Sequence, residues 1–345
     1  MVERSTLGID QQTCRVINGG WQLSAGHRKD PDDRASVVAG LVRMAQAGLT
    51  TFDCADIYTG VEELFGEVRA AYVADGGARD DLQLHTKLVP DRAALGSVDR
   101  SYVNRIVDRS LGRLGVDRLD LVQFHWWDYD TPGCVDAAGY LRDLQDAGKI
   151  RSIGVTNFNS AELKKLFDAG IPIVSAQVQY SLLDRRPERR LAALCQSHGA
   201  KLLCYGSLAG GFLTSRYIGA PAPEDMRNRS LVKYRLIIDD YGGWEAYQRL
   251  LRDAEAIAAS RGVPVSAVAA RYVLQKSGVA AVIIGTRGDK YLNQILSIFD
   301  FVLDDLEMER LDNGSEIRVP GDCFDLERVP GGPHQRIMKM NLNDA

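Results

Sequence analysis

Four polar residues stand at or just beyond the ends of short apolar runs. Asp53 closes Thr51-Phe52-Asp53, and Tyr58 follows in Asp53-Cys54-Ala55-Asp56-Ile57-Tyr58. Lys87 ends Leu84-His85-Thr86-Lys87, and His125 ends Val122-Gln123-Phe124-His125. Singly, each has an ordinary explanation: a solvated charge, a satisfied core histidine, a packing tyrosine. Together they make a proton-delivery set. A carboxylate keeps a neighbouring ammonium charged, and that charge draws a phenol below its usual pKa of about 10. A phenol so tuned can protonate a developing alkoxide. An imidazole beside it adds a second hydrogen bond to the carbonyl oxygen. Such a set needs a hydride source to complete a reduction.

The elements that carry these residues alternate. Strands are predicted at Arg15–Gly19, Thr51–Asp53, Leu82–Lys87, Leu119–His125, Ile150–Thr156, Val174–Gln179, Lys201–Tyr205 and Ala281–Gly285. Between them apolar residues recur at helical spacing, as at Val103, Ile106, Val107, Leu111 and Leu114. Gly follows many of these stretches, as at Gly115 and Gly262, where a left-handed cap favours it. Strands joined by helices imply a parallel sheet, and eight units suit a closed (β/α)8 TIM barrel with its site at the C-terminal strand ends. The rival open dinucleotide fold would carry G-x-G-x-x-G after its first strand, and the chain has none. Residues 1–345 therefore read as one barrel domain with a core of about 10–300. A long connection, Gly210 to Gly243, follows the seventh strand, and 301–345 form a C-terminal helix, patterned over Leu303–Leu311, and a Gly/Pro-rich tail. Both are placed to cover a site or to run over the surface.

The stretch from Gly48 through Asp53 to Tyr58, followed by Glu62-Glu63-Leu64-Phe65-Gly66, resembles the aldo-keto reductase signature. Lys87 and His125 match that family's other two catalytic positions. The resemblance implies an NADPH-dependent, reversible reduction of an aldehyde or ketone, with Asp53, Tyr58, Lys87 and His125 as a tetrad and Tyr58 as general acid. It places the nicotinamide carboxamide at Thr156, Asn157 and Gln177, and stacks the ring on Tyr205. Gly206, Ser207, Leu208 and Gly210 match the segment that covers the pyrophosphate. Gly285, Thr286 and Arg287 match the adenosine-phosphate site, where Arg287 would grip a 2′-phosphate with its planar donor fork. The chain departs from the family in Gly206-Ser207 after the stacking Tyr, and in Ile295 where an Asn is common. Gln294 beside it is the candidate adenine contact.

Trp126 and Trp127 follow His125 directly. Side-chain alternation turns only one of them toward the site, and Trp21 after the first strand is a further candidate wall. Aromatic walls suit a flat or apolar carbonyl substrate or a sugar, and rim packing explains them equally. Net charge is −4 without like-charge blocks, which argues against nucleic acid and anionic membranes as partners. No apolar run approaches a bilayer's thickness, and the N-terminal MVERSTLGID lacks a signal peptide's apolar centre. Six scattered cysteines without CxxC pairs point to a reduced, cytoplasmic protein with neither disulfides nor metal. Two other readings use the same residues: an NADPH-binding regulatory subunit, and a biosynthetic reductase dedicated to one intermediate.

Overall fold

The computed structural model describes residues 1–25, 33–224, 226, 229–312, 314 and 316–343. Eight parallel strands close into a barrel: β3 (Val16–Gly19), β4 (Thr51–Asp53), β5 (Gln83–Leu88), β6 (Leu119–Phe124), β7 (Ile150–Thr156), β8 (Ile173–Gln179), β9 (Lys201–Tyr205) and β10 (Val279–Gly285). Strand β10 pairs with β3 to complete the ring. β4, β7 and β9 coincide with their predicted spans, and the others differ at their ends by a residue or two. Strands covered on both faces tolerate near-continuous apolar sequence, which is why runs such as Val279–Gly285 were legible.

A hairpin that the sequence reading passed over, β1 (Arg4–Leu7) with β2 (Gln11–Cys14), precedes the barrel. Leu7 packs with Ile17, Leu121 and Leu203 of the barrel interior. Gln11 reaches further in: its Oε1 accepts from Ser152 at 2.9 Å, and its amide nitrogen lies 3.3 Å from His85 Nε2.

The helices ring the barrel over a continuous apolar layer. Helix α1 (Arg34–Gln46) is capped by Asp33, whose carboxylate accepts from the Ser36 amide. Helices α2 (Val61–Ala74) and α3 (Arg100–Leu114) meet at Gly66, where an added Cβ would lie 2.7 Å from the Arg113 carbonyl oxygen. Helices α4 (Cys134–Asp146), α5 (Ser160–Asp168), α6 (Leu191–Ser197), α8 (Gly243–Arg261), α9 (Val265–Leu274) and α10 (Leu292–Leu296) continue the ring. The long connection after β9 contains a further helix, α7 (Arg229–Tyr241), which buries Tyr234, Ile237, Ile238 and Tyr241. That spacing was present in the sequence, but neighbouring Pro and Arg residues masked it.

The C-terminal extension begins with α11 (Asp305–Asp312), which overlaps the predicted pattern. Beyond it, α12 (Asp325–Arg328) and α13 (Pro333–Arg336) lead a strap across the C-terminal ends of the strands. Near its end the Met340 carbonyl accepts from the Arg92 amide at 2.7 Å, and Asn343 Nδ2 donates to Asp56 Oδ2 at 3.0 Å. Among the described residues, no helix is long and apolar enough to cross a membrane.

Candidate active site

Strand register assembles the site. Asp53 pairs with His85, and Lys87 with Gln123. Alternation along β5 sends Thr86 outward, where its hydroxyl donates to Glu62 of α2 at 2.6 Å, and turns Lys87 inward. Lys87 Nζ donates to Asp53 Oδ2 at 2.6 Å and to the Cys54 carbonyl at 2.7 Å. Asp53 Oδ1 accepts from Gln123 at 2.7 Å and from Gln177 at 2.8 Å. A buried carboxylate thus holds one ammonium and two amides. The ammonium lies 5.2 Å from the centroid of the Tyr58 ring, and Trp21 meets that ring edge-on at 4.9 Å. His125 follows β6, with Nδ1 2.8 Å from the Thr156 carbonyl.

Burial alone would release the Lys87 proton, but the charge of Asp53 outweighs it and raises the ammonium's pKa above its ordinary value. At Tyr58 burial wins. It pushes the phenol above its ordinary value against the pull of Lys87. The expected downward tuning of Tyr58 is therefore not met in the free protein, because desolvation of a phenolate exceeds the attraction of one ammonium. His125 is pulled down to about 3, by burial first and then by the charge of Arg328. The Thr156 carbonyl can only accept, so Nδ1 carries the hydrogen and Nε2 of the neutral ring keeps a lone pair. Nε2 is buried without a partner. The expected hydrogen bond from His125 to a carbonyl oxygen becomes, in this tautomer, a capacity to accept.

The other expected residues are distributed as follows. Thr156 pairs with Gln177 across β7 and β8, and the Gln177 amide nitrogen is shared between Asp53 and Gln123. Asn157 adopts φ 60°, and its Oδ1 accepts from the Tyr205 hydroxyl at 2.8 Å. Lys233 of α7 covers Tyr205, with Nζ 4.6 Å from the ring centroid. Gly206 and Gly210 lie under Tyr234, so close that an added Cβ would come within 2.5 Å and 2.7 Å of it. Between them the hydroxyl of Ser207 is buried without a partner, and Leu208 is half-buried. Beyond β10, Thr286 Oγ1 donates to the Gly288 carbonyl at 2.6 Å, while Gly285 and Arg287 are exposed. Helix α1 braces this loop through the Arg43–Asp289 ion pair at 2.5 Å. Gln294 is exposed on α10. Trp127 meets His125 edge-on at 4.3 Å. Its neighbour Trp126, expected as a possible wall, is instead fully buried against Phe124 and donates to the Thr131 carbonyl at 3.1 Å. Alternation separates the two, as expected, and sends Trp126 into the packing layer.

A profile of the aldo/keto reductase family matches residues 15–316. The chain belongs to the aldo/keto reductase family. It is 29% identical over 302 residues to aldo-keto reductase YhdN of Bacillus subtilis, covering 85% of this chain and 87% of that protein. It is 27% identical to aldo-keto reductase yakc (NADP+) of Schizosaccharomyces pombe, covering 89% of each. Flagellar radial spoke protein 5 of Chlamydomonas reinhardtii is 29% identical, but the alignment spans only 57% of that protein's length. Among solved structures, a glycerol dehydrogenase from Gluconobacter oxydans superposes with a TM-score of 0.75 at 26% identity, covering 90% of this chain and 94% of that one. As a family member the chain is an oxidoreductase of the carbonyl-reducing kind, and its barrel is the family's fold.

Several residues at the mouth of this aldo/keto reductase were not anticipated. Gln123 was readable, since it alternates with Leu121 and His125 on one side of β6. The C-terminal contributions were not. Glu327 reaches buried Arg186, which Asp184 also holds, at 3.2 and 2.8 Å. Phe324, at φ 63°, presents its ring edge-on to His125 at 5.6 Å. Arg328 anchors over the ends of β6 and β7. These residues lie too far along the chain from their partners for any local pattern to announce them.

Proposed function

We propose that this aldo/keto reductase reduces an aldehyde or ketone to the alcohol with NADPH, Tyr58 giving the proton. The observation that carries the reading is the buried Asp53–Lys87 pair, at 2.6 Å, lying under the Tyr58 ring. Lys87 stabilises the tyrosinate that remains once the proton has left, and Asp53, fixed by Gln123 and Gln177, keeps that ammonium charged and in place. Because burial holds the Tyr58 phenol above its usual pKa, the acid stays loaded at neutral pH. His125 Nε2 then accepts from the hydroxyl that forms on the product. Trp21 and Trp127 flank the reacting position and exclude water from it.

The chain's residues fit a nicotinamide cofactor. The unpartnered Ser207 hydroxyl is a ready phosphate donor, and exposed Arg287 suits a 2′-phosphate. Lys233 covers one face of Tyr205, which leaves the other for the nicotinamide. Thr156 and Asn157 flank that position. When bound, NADPH supplies the hydride. The Schizosaccharomyces pombe relative is named for NADP(+), which supports the choice.

The test is Tyr58→Phe, with cofactor affinity and turnover measured separately. Loss of about a hundredfold or more in kcat at near-unchanged NADPH affinity is expected for a missing general acid. A variant that keeps most of its kcat removes Tyr58 from the role. Failure of the unmodified protein to bind NADPH sinks the reading as a whole.

A further inference from the structure

We propose that the substrate carries an oxyanion, a carboxylate or a phosphate, which Arg328 receives beside the reacting carbonyl. The inference rests on the reductase reading above and adds a substrate class to it.

Arg328 ends α12 in the strap across the barrel mouth. Its guanidinium donates to the carbonyls of Trp127 at 2.5 Å, Trp126 at 2.8 Å and Asn157 at 3.0 Å, and to the Tyr129 hydroxyl at 2.7 Å. It also stacks 3.7 Å above the Tyr129 ring. All four acceptors are neutral. Among the described residues no carboxylate makes an ion pair with it, and Nε is buried without a partner. Arg328 is half-buried, and a guanidinium partly withdrawn from water gains from a counter-charge. The same barrel mouth shows what this fold does with a structural arginine: Arg186 receives both Asp184 and Glu327. Arg328 has been given shape and neutral acceptors, and the carboxylates whose charge reaches it, Asp325 and Glu162, stand beyond ion-pair distance.

A second donor without a partner belongs to a residue that Arg328 touches. Trp127 Nε1 is buried without an acceptor, although the carbonyl of the same residue is held by Arg328. The Trp127 ring touches His125 at 4.3 Å, and the Phe324 ring lies 5.6 Å from the His125 ring and 5.3 Å from the Arg328 guanidinium. The positive field of Arg328 reaches His125, where it helps to keep the ring neutral. An oxyanion attached near the carbonyl would take the two free donors while its carbonyl oxygen meets Tyr58. It would also bring the half-buried guanidinium a direct counter-charge, which Asp325 and Glu162 supply only from a distance. Charge-assisted hydrogen bonds of this kind change affinity about tenfold to a hundredfold when one partner is removed.

The test pairs probes that differ in charge alone: 4-carboxybenzaldehyde against its methyl ester, and glycolaldehyde phosphate against glycolaldehyde. With NADPH, the unmodified protein is expected to favour the anion of at least one pair by about tenfold or more in kcat/KM, expressed mainly in KM. The preferred pair identifies carboxylate or phosphate. Arg328→Gln should erase the preference, and Trp127→Phe should reduce it. Equal or reversed preference in both pairs, or an Arg328→Gln variant that keeps the preference, overturns the proposal. Should Arg328→Gln fail to fold, the ratios in the unmodified protein and in Trp127→Phe decide. A titration with benzoate and with inorganic phosphate, read by tryptophan fluorescence in the presence of NADP+, is independent of turnover. Saturable quenching that weakens in Trp127→Phe supports the oxyanion site even if none of the four carbonyls is reduced, an outcome that counts against the reductase reading instead. Absence of saturable quenching by either anion overturns the proposal while leaving any measured reduction intact.

Discussion

Asp56→Asn should stabilise the protein, and only above acid pH. Asp56 lies in the loop between Asp53 and Tyr58 and is buried. One carboxylate oxygen accepts from the Val89 amide at 3.1 Å and from Asn343 at 3.0 Å, and the other has no partner. Burial, reinforced by Glu62 and opposed by those hydrogen bonds, raises the carboxyl from 3.8 to about 7. Between those values the folded protein holds a proton that the unfolded chain has released. Stability therefore falls as pH rises through this window, by about 4 kcal/mol in all, and stays lowered above it. An amide oxygen in place of the accepting carboxylate oxygen keeps both hydrogen bonds, while the amide nitrogen takes the unpartnered position at some cost. The variant should then be more stable by about 2 to 4 kcal/mol at about pH 8.5, and the charge-dependent part of that gain should shrink to about 1 kcal/mol at about pH 4.5. Urea unfolding of both proteins at the two pH values measures the difference, and the histidines common to both cancel. Equal destabilisation at both pH values, or a larger gain on the acid side, would refute the argument that a buried charge in the loop between Asp53 and Tyr58 is the cause.

Arg287→Ala should weaken NADPH about tenfold or more while leaving NADH nearly unchanged, since it removes a donor fork suited to the 2′-phosphate, which NADH lacks; equal losses in a fluorescence titration would undercut that assignment. Glu327→Gln leaves Arg186 with Asp184 alone and should cost about 3 kcal/mol. It should also release the C-terminal strap to proteolysis, and an unchanged urea midpoint and cleavage rate would show that the pair does not hold it. His85 and His125 are held neutral, at about 4 and about 3, chiefly by burial. As pH falls below about 6.5 the unfolded chain gains protons that the folded protein refuses, so each removes up to about 1.4 kcal/mol of stability per pH unit until its folded pKa is reached. His85→Gln should flatten that acid slope, and an unaltered slope would count against it.

The barrel was legible because its strands are continuous apolar runs and its helices repeat at a fixed spacing, both of which are local properties of the chain. Helix α7 shows the limit of that legibility. Its buried positions have the right period, yet its packing against Gly206 and Gly210 is what makes them a helix face. The tetrad positions and Trp127 could be nominated from residue type and strand ends, because a polar residue closing an apolar strand stands out in one dimension. The sequence by itself determined which groups are available: a carboxylate, an ammonium, a phenol and an imidazole on neighbouring units of a closed parallel sheet. Tertiary structure decided what state those groups occupy. It set the depth of burial that raises the pKa of the Tyr58 phenol, and the Thr156 carbonyl that selects the His125 tautomer. It committed Gln177 to Asp53 and turned Trp126 away from the site. It also brought Phe324, Glu327 and Arg328 from the end of the chain to the mouth of the barrel. Desolvation, hydrogen-bond partners and long-range docking depend on distances through space, and a sequence records only distances along the chain.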